Sequence, residues 1–444
     1  MATLLLSLSC SAQPKPPETE KSKPKPAFKL LPSEEDWSGS KRPLKDMAFD
    51  RTGRVRLSLG GSIRFQHESY KNQIFDGTSR TFDDSYLLNR ATLHGDLHLG
   101  KSTRLFADIH SALPIDLQLP PSPIDRDELF LHQAFLEQRF RNLALRVGRQ
   151  ELHFGSGRLI SVREGPNIRL SFDAARLELN LDNWELTAFW GRPTQTRLGE
   201  FNNPWLSDER WLSGLYSRSS HQEYYLLILN DARASFGERT GREQRATLGG
   251  RWFGESGPWD YNFEAFYQFG SFEGQTIRAW SVASDTGYRF ENLPGRPRLG
   301  LKANIISGDT DPADTTLNTF NALFPNGSYF GEIALIGPSN LINLHPNTSF
   351  QLTQKLELEA RVDFFWRYSL LDGVYTPPGF LLREAGPSRA SFIGTQPDLT
   401  LTYKPGEQWN MSLDYSLFIP GDFMKQQAVN DTIHFTQASL KYRF

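Results

Sequence analysis

The sequence predicts an all-β chain, a single transmembrane antiparallel β-barrel. Three observations carry that reading. From Arg54 to the end, apolar and polar residues alternate with a period of two. Several alternating runs exceed ten residues, whereas a globular strand has about five or six and a tilted bilayer-crossing strand needs about nine to eleven. The polar phase is rich in Arg, Asp and Glu; unpaired burial of so many charges in a dry core would be prohibitive, but a water-filled lumen accepts them.

Composition narrows the alternatives. The 444 residues hold 49 Lys and Arg against 51 Asp and Glu, a net charge of -2. That balance offers no basic excess for nucleic acid and no acidic tail. Mean hydropathy is -0.48, and no stretch approaches the roughly 18 apolar residues of a spanning helix. An alternating barrel escapes this test, because its apolar face is averaged with its polar one. Aromatics make up 13% of the chain, and Arg outnumbers Lys by 35 to 14. A single Cys excludes a disulfide scaffold.

Taken in order, residues 1–12 read as an export signal. Leu4, Leu5, Leu6 and Leu8 form a short apolar core, and small residues at Cys10 and Ala12 suit cleavage after Ala12. The positive leader is missing, as in a truncated start. Lipidation of Cys10 would favour Leu three places earlier, where Ser7 stands. Residues 13–50 are Pro- and Lys-rich without an apolar period (PKPPETEKSKPKP), the composition of an extended periplasmic linker. Residues 51–444 form the barrel.

Alternation begins with Val55, Leu57, Leu59, Gly61, Ile63 and Phe65 against Arg56, Ser58, Ser62, Arg64 and Gln66. It continues with Ala91, Leu93, Gly95 and Leu97 against Arg90, His94, Asp96 and His98, then Leu105, Ala107 and Ile109 against Arg104, Asp108 and His110. Ala175, Leu177 and Leu179 oppose Arg176 and Glu178; Leu186, Ala188 and Trp190 oppose Glu185 and Thr187. Tyr261, Phe263, Ala265 and Tyr267 oppose Asp260, Asn262 and Glu264. Leu358, Ala360, Val362, Phe364 and Trp366 oppose Glu357, Glu359, Arg361, Asp363 and Arg367, and Met411, Leu413 and Tyr415 oppose Ser412 and Asp414. Such runs number roughly sixteen to eighteen. Aromatics gather at run ends (Trp184, Trp190, Trp259, Phe269, Trp366, Trp409), as interfacial girdles require. The last run places Leu440, Tyr442 and Phe444 in one phase, and this aromatic ending, with Tyr442 and Phe444, is similar to the assembly signal of bacterial outer-membrane barrels.

Ordered stretches then carry a resemblance: LSLGGSIRFQHESYKN (57–72), LLNRATLHGDLHLG (87–100), DELFLHQAFLEQ (127–138), RVGRQELHFGSGRLIS (146–161), FEAFYQFGSFEG (263–274), FNALFPNGSYFG (320–331) and LFIPGDF (417–423). Over about 57–444 the chain resembles the alginate export family of outer-membrane porins. The resemblance implies a monomeric barrel of about 18 strands in the outer membrane of a Gram-negative bacterium, with short periplasmic turns and longer outer loops. The resemblance covers the scaffold and not an identified substrate; the function expected on it is passive passage of an anionic polysaccharide or oligosaccharide, an alginate-like polyuronate, with surrounding lipid, the barrel-assembly machinery and periplasmic export partners as its associates.

Arg64, Arg90, Arg104, Arg146, Arg176, Arg361 and Arg367 fall on the polar phase and are the candidate anion path. Guanidinium groups bind carboxylates bidentately, and a cationic ring selects anions. Asp96, Asp108, Glu178, Glu264, Glu359 and Asp363 share that face and would neutralise part of it. Arg149, Arg158 and Arg163 lie near Gly kinks, which leave their direction open. Neither a metal nor a cofactor is expected. His94 and His98 sit about 13 Å apart on a strand, too far for one zinc, and Asp309, Asp311 and Asp314 lack the Gly and Glu of a calcium loop. No enzyme is expected: His153 near Ser156 and His434 near Thr436 come without a nucleophile elbow or phosphate loop. Two other readings stay open, a general or nutrient-uptake porin and a loop-closed barrel with adhesive or structural work.

Overall fold

The computed structural model describes residues 28–74, 81–206, 209–237 and 239–444. The expected signal, its Cys10, and residues 13–27 of the expected linker lie outside the described residues. Eighteen strands form the wall: β1 (Val55–Ile74), β2 (Thr81–Leu99), β3 (Thr103–Ile115), β4 (Asp127–Phe140), β5 (Leu143–Gln150), β6 (Phe172–Asn180), β7 (Glu185–Pro193), β8 (Trp211–Arg218) and β9 (Gln222–Phe236). They continue with β10 (Arg239–Ser256), β11 (Trp259–Phe272), β12 (Gln275–Arg289), β13 (Arg298–Ile306), β14 (Leu341–Gln351), β15 (Leu356–Arg367), β16 (Phe392–Tyr403), β17 (Trp409–Pro420) and β18 (Ile433–Arg443). Each pairs antiparallel with its sequence neighbours, and β18 returns to β1, with Ser62 opposite Arg443 and Lys71 opposite His434. Closure removes the free edges of the sheet, so wall amides pair strand to strand, as a bilayer demands.

The alternation decides which face is which. Ile63, Phe65, Leu93, Leu215 and Leu413 are exposed on the outer surface, while Arg64, Arg90, Asp96, Glu264 and Asp363 are buried on the inner one. A one-residue slip would reverse both sets, which fixes the register strongly. Aromatics ring both ends. At the short-turn end Trp259 packs on Tyr288 (4.9 Å) and Trp409 on Tyr442 (4.6 Å). At the other end Trp280 meets Tyr368 (5.6 Å) and Trp366 meets Phe392 (5.5 Å).

The two ends differ. Turns such as 100–102, 141–142 and 257–258 close one end; the other carries segments 151–171, 194–210, 307–340 and 368–391 between strands. The segments 151–171 and 307–340 do not project outward. Leu152, Phe154, Leu159, Ile160 and Val162 of the first, and Phe320, Phe324, Phe330 and Ile336 of the second, are buried inside the ring. Backbone bonds join the two: Phe324 N–H donates to Leu159 O (2.9 Å), Ser161 N–H to Phe324 O (2.9 Å), and Asn326 N–H to Gly157 O (3.0 Å). An apolar loop inside a polar tube gains by burying its side chains against another such loop.

Residues 28–48 belong to the stretch expected as an extended linker. They pack into the short-turn mouth: Leu31 and Trp37 are buried, and Met47–Ala48 pairs antiparallel with Arg56 and Leu57 of β1.

Candidate solute path through the lumen

All seven candidate arginines lie on the inner face, and each is already engaged. Arg104 donates to both oxygens of Asp96 (2.7 and 3.0 Å). Arg146 donates to Glu137 (2.9 and 2.5 Å), which Arg104 also approaches at 3.9 Å. Arg176 pairs with Glu178. Arg361 reaches Glu332 (2.5 Å), Glu359 (3.4 Å) and Asp398 (3.4 Å). Arg367 takes no carboxylate among the described residues and instead donates to the carbonyls of Ser388 (3.0 Å), Ala390 (2.6 Å) and Leu370 (3.1 Å). This is a frame of buried charge pairs, in which each partner cancels much of the other's field.

Arg64 and Arg90 do something different: they hold segment 151–171 to the wall. Arg64 donates to the carbonyls of Glu164 (2.8 Å), Gly165 (3.0 Å) and Pro166 (3.1 Å). Arg90 donates to the Glu164 carboxylate (2.5 Å), which also receives Arg169 (2.6 Å) and Lys441 (2.7 Å). Burial opposes ionisation of Glu164, but Arg90, Arg169, Lys441 and Arg64 outweigh it and hold its carboxyl well below the usual range.

The opposite side of the same segment is pinned by Glu264. Ser156 Oγ donates to it (2.8 Å), and so does Arg158 Nε (2.8 Å), while Arg158 Nη1 reaches Asn304 Oδ1 (2.9 Å). Gly155, at φ +60°, lets the backbone lie against Tyr225 and Glu223, where a Cβ would collide. Of the other carboxylates, Asp108 accepts from His110 Nε2 (2.9 Å) and Gln133 Nε2 (3.3 Å), in a cluster where His110 stacks on His132 at 4.0 Å. Asp363 receives Asn343 Nδ2 (2.8 Å) and contacts His345 Nδ1 (2.7 Å). Ser156 is thus engaged by Glu264. Asp309, Asp311 and Asp314 cap backbone amides of their own turn.

Arg163 stands apart. It sits at the junction of the two inner segments at φ +55°, half-buried, with Nε donating to Pro325 O (3.3 Å). Among the described residues no carboxylate pairs with it, and it lies in the field of Arg210, itself 5.6 Å from the Phe324 ring. Burial, then the Arg210 charge, pulls the Arg163 pKa down to about 10, so it stays cationic at neutral pH. Sequence phase could not find it, because phase has no meaning off a strand. The usable signal was the irregular apolar run 152–162 punctuated by Gly155 and Gly157.

A closed 18-strand antiparallel wall, apolar outside and charged inside, with two inward loops, is a β-barrel membrane channel of the outer-membrane type. The model of the alginate export family matches residues 55–437. The chain belongs to that family, and its place is the outer membrane. Solved Pseudomonas aeruginosa channels share the fold. OccK8 (OprE) superposes with a TM-score of 0.59 at 10% identity, over 87% of this chain and 98% of that one. OccK2 (OpdF), solved in complex with glucuronate, gives 0.59 at 13% identity over the same shares. OpdK, solved with vanillate, gives 0.58 at 10%, again over 87% and 98%. A search of curated protein sequences found no match.

Proposed function

We propose that the protein passes anionic oligosaccharide or polysaccharide of the uronate class by passive diffusion, with selection at the inner loops. The observation that carries this reading is Arg163: a partly buried cation, at the junction of the two segments that narrow the lumen, with no carboxylate partner among the described residues. A fixed positive charge in a low-dielectric constriction attracts anions and repels cations. The strand arginines act through structure, keeping the wall round and the loops docked. Family membership and the glucuronate bound to OccK2 agree with a carboxylate-bearing solute. The barrel-assembly machinery would insert the chain as a monomer, and periplasmic partners would deliver or receive the solute.

A general porin is the second reading, favoured by the neutralisation of Arg104, Arg146, Arg176 and Arg361 by neighbouring acids. Single-channel recording in planar bilayers separates the two. The uronate reading expects oligouronate to interrupt the current at concentrations where neutral oligosaccharide of equal length does not. Equal block by both would establish the general porin.

A further inference from the structure

Residues 28–46 occupy the mouth through which a solute passes at the periplasmic end. Over residues 30–33 two backbone carbonyls of the segment accept from guanidinium groups inside the barrel. Leu30 O receives Arg169 Nη2 (2.9 Å) and Ser33 O receives Arg104 Nη2 (2.8 Å). The Glu35 carboxylate, buried, takes the Trp37 indole N–H (2.8 Å) and the Lys29 amide (3.1 Å) and lies in the fields of Lys45 and Arg443. Arg443, the last residue of β18, carries no ion pair among the described residues and lies 4.9 Å from the Phe28 ring. The segment is held at its far end by Lys45 Nζ donating to Phe444 O (3.2 Å) and by Leu59 N–H donating to Leu44 O (2.7 Å).

Beneath the segment lies a cavity of about 30 Å3 bordered by Leu30, Glu35, His94, Asp108, Arg169 and Arg443. Three buried polar atoms around it have no protein partner among the described residues, His94 Nδ1, His110 Nδ1 and Asp108 Oδ1, while Arg169 Nε pairs with Glu151 (2.6 Å). A buried polar group left unsatisfied is costly, so a wall that retains three is better matched to a polar occupant than to the segment that covers it.

We propose that this wall face, around Arg104, Arg169, Arg443 and His94, is a binding site for carboxylate-bearing sugar units, and that residues 28–37 fill it with their own carbonyls and the Glu35 carboxylate. The segment is a built-in competitor: solute arriving at the periplasmic mouth binds by displacing it. This inference rests on the uronate reading and places the first docking step of that solute.

The test uses the full chain in planar bilayers, with oligouronate added on the periplasmic side. Leu31→Asp combined with Trp37→Ala unseats the segment by removing its two buried apolar anchors; deletion of residues 28–40 is the second variant. Both should raise conductance in plain KCl and tighten oligouronate block at least tenfold. Adding Arg443→Gln to either should return the block toward the wild-type value. A synthetic peptide of residues 28–40 should compete with the oligouronate in the deletion variant. An anion-selective channel whose block is unchanged in both variants, or unaffected by Arg443→Gln, overturns this inference and leaves the uronate reading standing. A channel that no oligouronate blocks, with the segment seated or removed, sinks that reading and the inference with it.

Discussion

Replacing Glu164 with Gln should loosen the segment 151–171 from the wall. The substitution keeps the shape and removes the charge that Arg90, Arg169 and Lys441 share at 2.5–2.7 Å. Breaking a buried pair costs about 3–5 kcal/mol because a desolvated charge is left alone. The Glu164 side chain is 33% exposed, so water screens part of the loss and about 2–3 kcal/mol is the fair expectation. That shifts the docked-to-undocked ratio by about thirty- to a hundred-and-fiftyfold. The carbonyl bonds from Arg64 survive, so the loop should fluctuate rather than leave. The assay is single-channel current at constant voltage: the variant should flicker between levels where the wild type is steady. The pH dependence has a definite sign. The folded-state pKa of Glu164 is depressed, so its stabilisation is complete above the ordinary Glu value of about 4.5 and fades as pH falls through the depressed one. Wild-type current should therefore stay quiet at pH 5 and flicker only in stronger acid. A steady current from Glu164→Gln at neutral pH would refute the assignment of this carboxylate as the loop's anchor.

Other outcomes follow from the same contacts. Gly155→Val should also undock the loop, since its side chain would collide with Tyr225 at a φ that disfavours β-branching; normal, steady current would contradict this. Deleting Phe444 removes the reciprocal backbone bonds with Gly61 (3.1 and 3.2 Å) and the carbonyl held by Lys45, at about 1 kcal/mol each, and should lower the yield of heat-modifiable barrel on gels. Arg361→Gln should free Glu332, whose pKa burial already raises against the pull of Arg361. Its ionisation then opposes docking of segment 307–340, so current noise should grow as pH rises, and a pH-independent trace would count against the pair.

The wall was legible from the sequence because every strand residue must choose between lipid and water. Leu93 and His94, adjacent in sequence, end on opposite faces for that reason alone. The same rule placed the seven arginines inward yet said nothing about their partners. Arg64 binds the carbonyl of Pro166, 102 residues away, on a segment that belongs to no strand. A loop that folds back into the tube obeys neither alternation nor helical period, so Arg163 and Glu164 had no phase to read. Residues 28–48 were masked by composition: the Pro- and Lys-rich stretch before them suggests a tether, but Leu31 and Trp37 are the buried anchors of a packed segment. The inner charge, balanced on paper by Arg and carboxylate counts, is largely balanced in space by specific pairs; Arg163, without a carboxylate partner among the described residues, biases the sign of the field at the loop junction.

That sign is open to direct measurement. The zero-current potential of a single channel under a KCl gradient reports whether chloride or potassium crosses more readily. Anion selectivity is expected for the wild type, with its loss or reversal in Arg163→Glu and the barrel's heat-modifiable migration unchanged. Cation selectivity in the wild type, or a potential indifferent to Arg163→Glu, would contradict it.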